Sequence, residues 1–270
     1  MKVGRKDILL DQIITEYIKT GLPVGSAYLA GKNELGVSSA TIRNEMAELE
    51  KEGYLRQPHI SAGRVPTEKA YKLYLKNLHA KEPKDSEKRA FVEIVKRLKQ
   101  DHELLLKNIA KTLALFSGET VIWGFGGDDI YCTGISNLFS KPEFQERKEI
   151  HEISAAVDRL DDVMSKIFDE VSGEPVTYLG RENPFAKDCA TVVVRVGDND
   201  VLGILGLTRM DYKKNLGFIN YLKEILGELD TKIFGKNKSE YENELQEYVN
   251  KNMKIYLQSI DIWIKTIEIK

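Results

Sequence analysis

The chain has 270 residues, 42% of them hydrophobic and 30% charged. That composition fits a folded chain with a core of its own and excludes a disordered or fibrous one. No apolar run reaches the roughly eighteen residues of a membrane-spanning helix, so none is expected. The start, MKVGRKDILLDQ, lacks a long apolar stretch, and a secretory signal is not expected either. Cys132 and Cys189 lie far apart, form no CxxC pair and read as buried thiols. With only four His, a multi-ligand zinc site is not expected, no cofactor is expected, and the reducing cytoplasm is the expected compartment. The net charge of −2 hides an asymmetry: residues 1–80 hold 12 Lys and Arg against 9 Asp and Glu, and the remainder 28 against 33. A mildly basic head on an acidic body permits DNA binding by the head.

In chain order, Asp7 to Thr20 has the 3.6-residue periodicity of a helix, stopped by Gly21 and Pro23. Ser26 reads as the cap of a short helix, Ala27 to Glu34. Leu35-Gly36-Val37 is a tight connection, and Ser38 caps a third helix that ends near Gly53. Tyr54 to Val65 reads as a short hairpin with a turn at Ser61-Ala62-Gly63, and Pro66-Thr67 open a fourth helix to Leu78. This order is that of a winged helix-turn-helix. The third helix carries Ser39, Thr41, Arg43 and Asn44 near its N-terminus, where they can reach base edges and phosphates. Its other face, Ile42, Met46 and Leu49, packs inward.

Beyond a charged connector (81–85), Ser86 to Phe116 reads as one long helix with an apolar stripe from Phe91 to Leu113. Strands are expected at Thr120–Phe125, Asp129–Cys132 and Pro175–Gly180. Thr191–Val196 and Val201–Leu207 read as a hairpin around Gly197-Asp198-Asn199-Asp200. Between them, Glu149 to Val171 is an amphipathic helix. Asp211 caps a helix to about Phe234, and a last helix, 239–270, has a coiled-coil-like apolar seam with Trp263 as an interface anchor.

One family fits these residues. LPVGSAYLAGKNELGVSSATIRNEMAELEKEGYLRQPHISAGRVP (22–66) closely resembles the N-terminal domain of HrcA, the heat-inducible transcription repressor. YCTGISNLFSKPEF (131–144), LGRENP (179–184) and LGILGLTRMDY (202–212) resemble its later blocks in the same order. The resemblance implies an α+β chain: an N-terminal winged helix-turn-helix domain, a long connecting helix and a C-terminal GAF-like α+β domain with a reduced or absent dimerisation insert. The expected domains are 1–80 (winged helix), 81–117 (linker and long helix), 118–235 (GAF-like) and 236–270 (C-terminal helix). It also implies a cytoplasmic homodimer that binds a double-stranded inverted repeat, the CIRCE operator, represses chaperone genes and is released on heat stress, with a chaperonin as a further partner. The sequence departs from the family in two places. FSGETVIWGF (116–125) runs almost directly into the YCTGISNLF block, and the tail 239–270 is extra. The tail and the long helix are expected to supply the missing dimer surface.

The expected DNA contacts are Ser38, Ser39, Thr41, Arg43 and Asn44 on the third helix and His59, Ser61, Gly63 and Arg64 in the wing. Ser38 and its neighbours also serve the cap. Gly63 is expected to permit close backbone approach and Arg64 to enter the minor groove or meet phosphate. Other features read more plainly. Gly126-Gly127-Asp128-Asp129 is a turn that only superficially resembles a nucleotide-cyclase loop. His151-Glu152 lacks the second His of a zinc hydrolase. Asp158, Asp161 and Asp162 form a solvated face. Arg209 and Asp211 either pair locally or close a domain interface. Nothing assembles a nucleophile, base and oxyanion site, so an enzyme is not expected. The rival reading is a ligand-sensing winged-helix regulator of other operons; a protein-binding scaffold is a third.

Overall fold

Helix α1 (Arg5–Thr20) buries Leu9, Leu10, Ile13 and Ile14 along one side, as the periodicity predicts, and stops at Gly21. The computed structural model describes residues 4–235 except 33, 99–100, 126–128, 146–153, 156–157 and 198–199. Two compact units divide the chain, residues 1–222 and 223–270. α2 (Ser26–Lys32) and α3 (Ser39–Lys51) follow, packed on each other. Their link turns at Gly36, whose φ of 61° lies in the left-handed region that suits glycine. Ser26 is the first helical residue and not the cap. Strands β1 (Leu55–Arg56) and β2 (Val65–Pro66) pair antiparallel, and α4 (Glu68–Lys76) starts at the Thr67 cap. α1 packs against α3, α4 and β2, and Ile42, Met46, Leu49, Leu55 and Val65 fill the core of this helical head.

The expected long helix is two. α5 (Asp85–Leu98) and α6 (His102–Ser117) pack against each other. Asp101 is extended and accepts the Leu104 N–H at 3.0 Å, so it starts a new helix instead of continuing the old one. The physical reason is local: residues 99–103 are all polar, so the apolar stripe has a gap there. Folding back lets the two stripes cover each other, with Phe91 edge-on to Phe116 at 5.7 Å.

The body is a five-stranded antiparallel sheet in the order β4-β3-β7-β6-β5. Its strands are β3 (Thr120–Phe125), β4 (Asp129–Thr133), β5 (Val176–Leu179), β6 (Cys189–Val196) and β7 (Asp200–Leu207). Phe125 pairs with Asp129, so only three residues join β3 to β4. α7 (Ile135–Phe139) and α8 (Leu160–Glu170) cover one face, where Ile122, Leu138, Met164, Ile167, Val193 and Leu205 form a core. Alternate residues, among them Val121, Trp123, Val192 and Ile204, point to the other face and are equally buried. The helix predicted over 149–171 is interrupted: Ser154 and Ala155 are helical, Asp158 and Arg159 form a turn, and α8 starts at Leu160. α9 (Tyr212–Gly235) starts where Asp211 accepts the Lys214 N–H at 3.1 Å, the predicted cap. Gly126–Asp128, His151-Glu152 and the tail 239–270 lie outside the described residues.

Candidate nucleic-acid interface

The third helix is built to keep one end bare. Ser38 caps it: its hydroxyl accepts the Thr41 N–H at 3.2 Å and lies 3.0 Å from the Thr41 hydroxyl. Ser39 is half-buried, its hydroxyl 3.2 Å from that of Ser26 on α2. These three residues therefore set the angle between α2 and α3 before they meet anything else. Arg43 and Asn44 are exposed, and among the described residues neither side chain has a hydrogen-bond or ion-pair partner. A helix N-terminus with free N–H groups and an unpaired cation is suited to a polyanion.

The same helix carries three glutamates and ends on a fourth, Glu52, at its C-cap, all of which would repel a phosphate backbone. Three cations from neighbouring elements pair with these four carboxylates. Glu45 is buried and accepts from Arg5 Nε at 2.7 Å. Glu48 and Glu52 share Lys6, and Glu50 accepts from Arg64 Nε at 2.8 Å. The Lys6 hydrogen bond holds the Glu48 carboxyl below its ordinary range, and the Glu45 hydrogen bond raises Arg5. The carboxylates of the C-terminal half of α3 are all ion-paired, and Arg43 near its N-terminus is left over. Nothing local in the sequence signals this, because the partners lie 14 to 46 residues away.

The hairpin beside α3 is braced from below. Glu50 also accepts the Gln57 N–H at 3.1 Å. The Gln57 side-chain amide donates to the Ile60 and Ala62 carbonyls at 2.8 and 2.9 Å, and the Ala62 N–H closes a turn on His59 at 2.9 Å. Val24 and Arg64 exchange both backbone hydrogen bonds, at 2.9 and 2.8 Å, so the link between α1 and α2 adds a third strand segment. Two expectations change here. The close approach at Gly63 is intramolecular: a Cβ there would stand 2.3 Å from the Val24 carbonyl oxygen. Arg64 is occupied by Glu50, with its side chain only 17% exposed. His59 and Ser61 stand exposed at the tip, and between them Ile60 is 99% exposed.

At the far end of the head, Arg209 settles the alternative left open by the sequence. It forms a double hydrogen bond with the Glu143 carboxylate, one arm at 2.9 Å, and reaches the Ile18 carbonyl at 3.5 Å. Its guanidinium lies 3.1 Å from where a Cβ on Gly21 would stand. Tyr71 of α4 meets Tyr212 with ring centres 5.9 Å apart, both buried. The Lys81 N–H donates to the Lys213 carbonyl at 2.8 Å, and Lys72 pairs with Glu182 at 2.5 Å. Arg209 thus closes an interface between head and body, while Asp211 caps α9.

Among the described residues no group of three His, Cys, Asp or Glu could hold a metal ion, and no helix is long and apolar enough to cross a membrane.

These features define a class: an α+β chain with a helical head that keeps a polar helix end bare, joined to an antiparallel sheet body. The family model described as HrcA protein C terminal domain matches residues 41–216. The chain belongs to the HrcA family, whose members are transcription repressors and not enzymes. The heat-inducible transcription repressor HrcA of Acetivibrio thermocellus is 27% identical over 346 positions, covering 87% of this chain and 98% of that protein. Since this chain has 270 residues, at least 76 of those positions have no counterpart in it. HrcA of Clostridium botulinum strain Eklund 17B is 61% identical over 74 residues, which is 27% of this chain and 22% of that protein. A crystal structure described as that of a hypothetical protein shares the fold, with a TM-score of 0.63 and 17% identity over 84% of this chain and 97% of that one.

Proposed function

We propose that this protein is a cytoplasmic transcription repressor of heat-shock (chaperone) genes that binds a CIRCE-type inverted repeat as a homodimer and is released on heat stress. The observation that carries the reading is α3, with a capped bare end, an unpaired Arg43 and every glutamate ion-paired. In this reading residues 1–80 form a winged helix, 118–235 a GAF-like domain reduced by the missing insert, 81–117 the connection and 236–270 an added segment. The three-residue β3–β4 link agrees with that reduction. Arg43 and Asn44 read bases, the Ser38 to Thr41 turn seats a phosphate, and His59 and Ser61 meet the neighbouring groove. Gly63 and Arg64 serve the interface by holding the hairpin in place. Dimerisation is assigned to α6, whose exposed Leu104 and Leu115 lie three turns apart on one side, together with 236–270. A chaperonin is the further partner that membership of the family suggests.

The test is fluorescence anisotropy of the full chain on a labelled inverted repeat beside a scrambled duplex, at low and high salt. The reading expects tight, salt-sensitive binding to the repeat alone. Arg43→Ala is expected to weaken it by about 1–3 kcal/mol, roughly 5- to 150-fold, with the melting temperature unchanged. Equal affinity for both duplexes at every salt concentration overturns it.

A further inference from the structure

Ile60 is the most exposed large apolar side chain among the described residues, at 99%. It does not sit on a loose loop. Its carbonyl is held by Gln57, the turn is closed from Ala62 to His59, and both ends of the loop are tied to one carboxylate, Glu50. A braced turn that presents a β-branched residue, stiff at χ1, has little side-chain freedom left to lose on contact. A turn with no further task gains nothing from an isoleucine there, because any polar residue is better solvated.

The loop also stands in a defined place. Glu50 follows Arg43 by seven residues, which on an α-helix returns to within about 20° of the same direction, about 10 Å further along. The base of the hairpin is therefore tied to the Arg43 side of α3. A duplex lying on Arg43 meets the tip next, one groove over.

We propose that Ile60 is laid against the floor of the minor groove beside each half-site and makes the protein prefer A·T pairs there. The inference rests on the DNA-binding reading above. The chemistry is steric: a G·C pair carries an exocyclic amine on the minor-groove floor, which an A·T pair lacks. Apolar side chains are used in this way by minor-groove proteins. His59 and Ser61, exposed on either side, supply polar contacts to the groove acceptors and phosphates. Arg64, held by Glu50, is not the groove reader.

The experiment uses the full chain and a set of inverted-repeat duplexes in which blocks of A·T pairs are replaced by I·C or by G·C. I·C presents the A·T minor groove and a G·C-like major groove, so the two replacements separate the grooves. For the wild type, one block symmetric about the repeat is expected to weaken binding about fivefold as G·C and hardly at all as I·C. Ile60→Ser is expected to bind the parent duplex roughly threefold to tenfold more weakly and to lose the G·C against I·C difference. Its melting temperature is expected to match the wild type, since the side chain touches nothing. Ile60→Ser binding every duplex as the wild type does overturns the proposal, and so does a wild type that treats I·C and G·C alike in every block. Either result points to a protein partner for this residue and leaves the repressor reading standing if Arg43→Ala still weakens binding. A wild type that does not prefer the repeat over the scrambled duplex sinks both.

Discussion

At one end of the head, Arg43, Asn44, His59, Ser61 and Ile60 stand in water; at the other, Gly21, Tyr71, Glu68 and Lys72 press against the body. The first end keeps its polar groups unpaired on a rigid support. The second buries them in close packing, with the Tyr71 hydroxyl left without a hydrogen-bond partner and no room for an added atom at Gly21. The difference teaches where each kind of substitution should be felt. Changes at the bare end should alter binding and spare stability, and changes at the packed end should do the reverse.

The hardest test of that division is Gly217→Ala on α9. A Cβ there would stand 1.8 Å from the Lys81 carbonyl oxygen, a backbone atom that cannot swing away. A loss of about 3 kcal/mol or more is expected, a fall of roughly 6–12 °C in thermal melts, if the connector cannot move aside. A melting temperature equal to the wild type would show that the head rides loosely on the body. Arg209→Ala is next. Removing this half-buried guanidinium strands Glu143 and frees the end of α1, for about 1–2 kcal/mol. Its affinity for a single half-site should be unchanged, and a tenfold loss there would break the comparison.

The smallest effect is a pH dependence near the same junction. Burial raises the Glu119 carboxyl above its ordinary value of 4.5, against the opposing pull of Lys141 at 3.3 Å. A raised acid contributes stability in its protonated form. That contribution is full below the ordinary value and is lost as pH rises through the raised one. Glu119→Gln should therefore flatten the melting temperature across that window, with the wild type falling more steeply. Equal slopes would place Glu119 in contact with water.

Much of the chain was legible where its signals are local. Ser38 and Asp211 cap the helices they were expected to cap, Thr67 caps the helix that Pro66-Thr67 were expected to open, and the hairpin between β6 and β7 follows from turn chemistry between two apolar runs. What stayed hidden depends on distant pairs. The Val24–Arg64 bridge and the Arg5–Glu45 pair each join residues 40 apart, and neither leaves a mark on its neighbours. The break between α5 and α6 was visible as five polar residues in a row, but the apolar period resumes beyond them and suggested one rod. At the candidate site, Arg43 and Asn44 stood out by type and position. Arg64 did not reveal that Glu50 would claim it, and Ile60 read as one more loop residue.

The four ion-paired glutamates of α3 and its C-cap make the head an ionic balance that salt can upset from within. Counterion release already weakens any phosphate contact as salt rises. The pairs Lys6–Glu48 and Lys6–Glu52 stand near the surface and are screened in the same range, while the partly buried Arg5–Glu45 and Arg64–Glu50 are screened less. As they weaken, the helix turns its own negative charge toward the duplex. A repressor built this way would let go of DNA more steeply with ionic strength than its count of phosphate contacts implies, so the excess slope would measure the shield and not the grip.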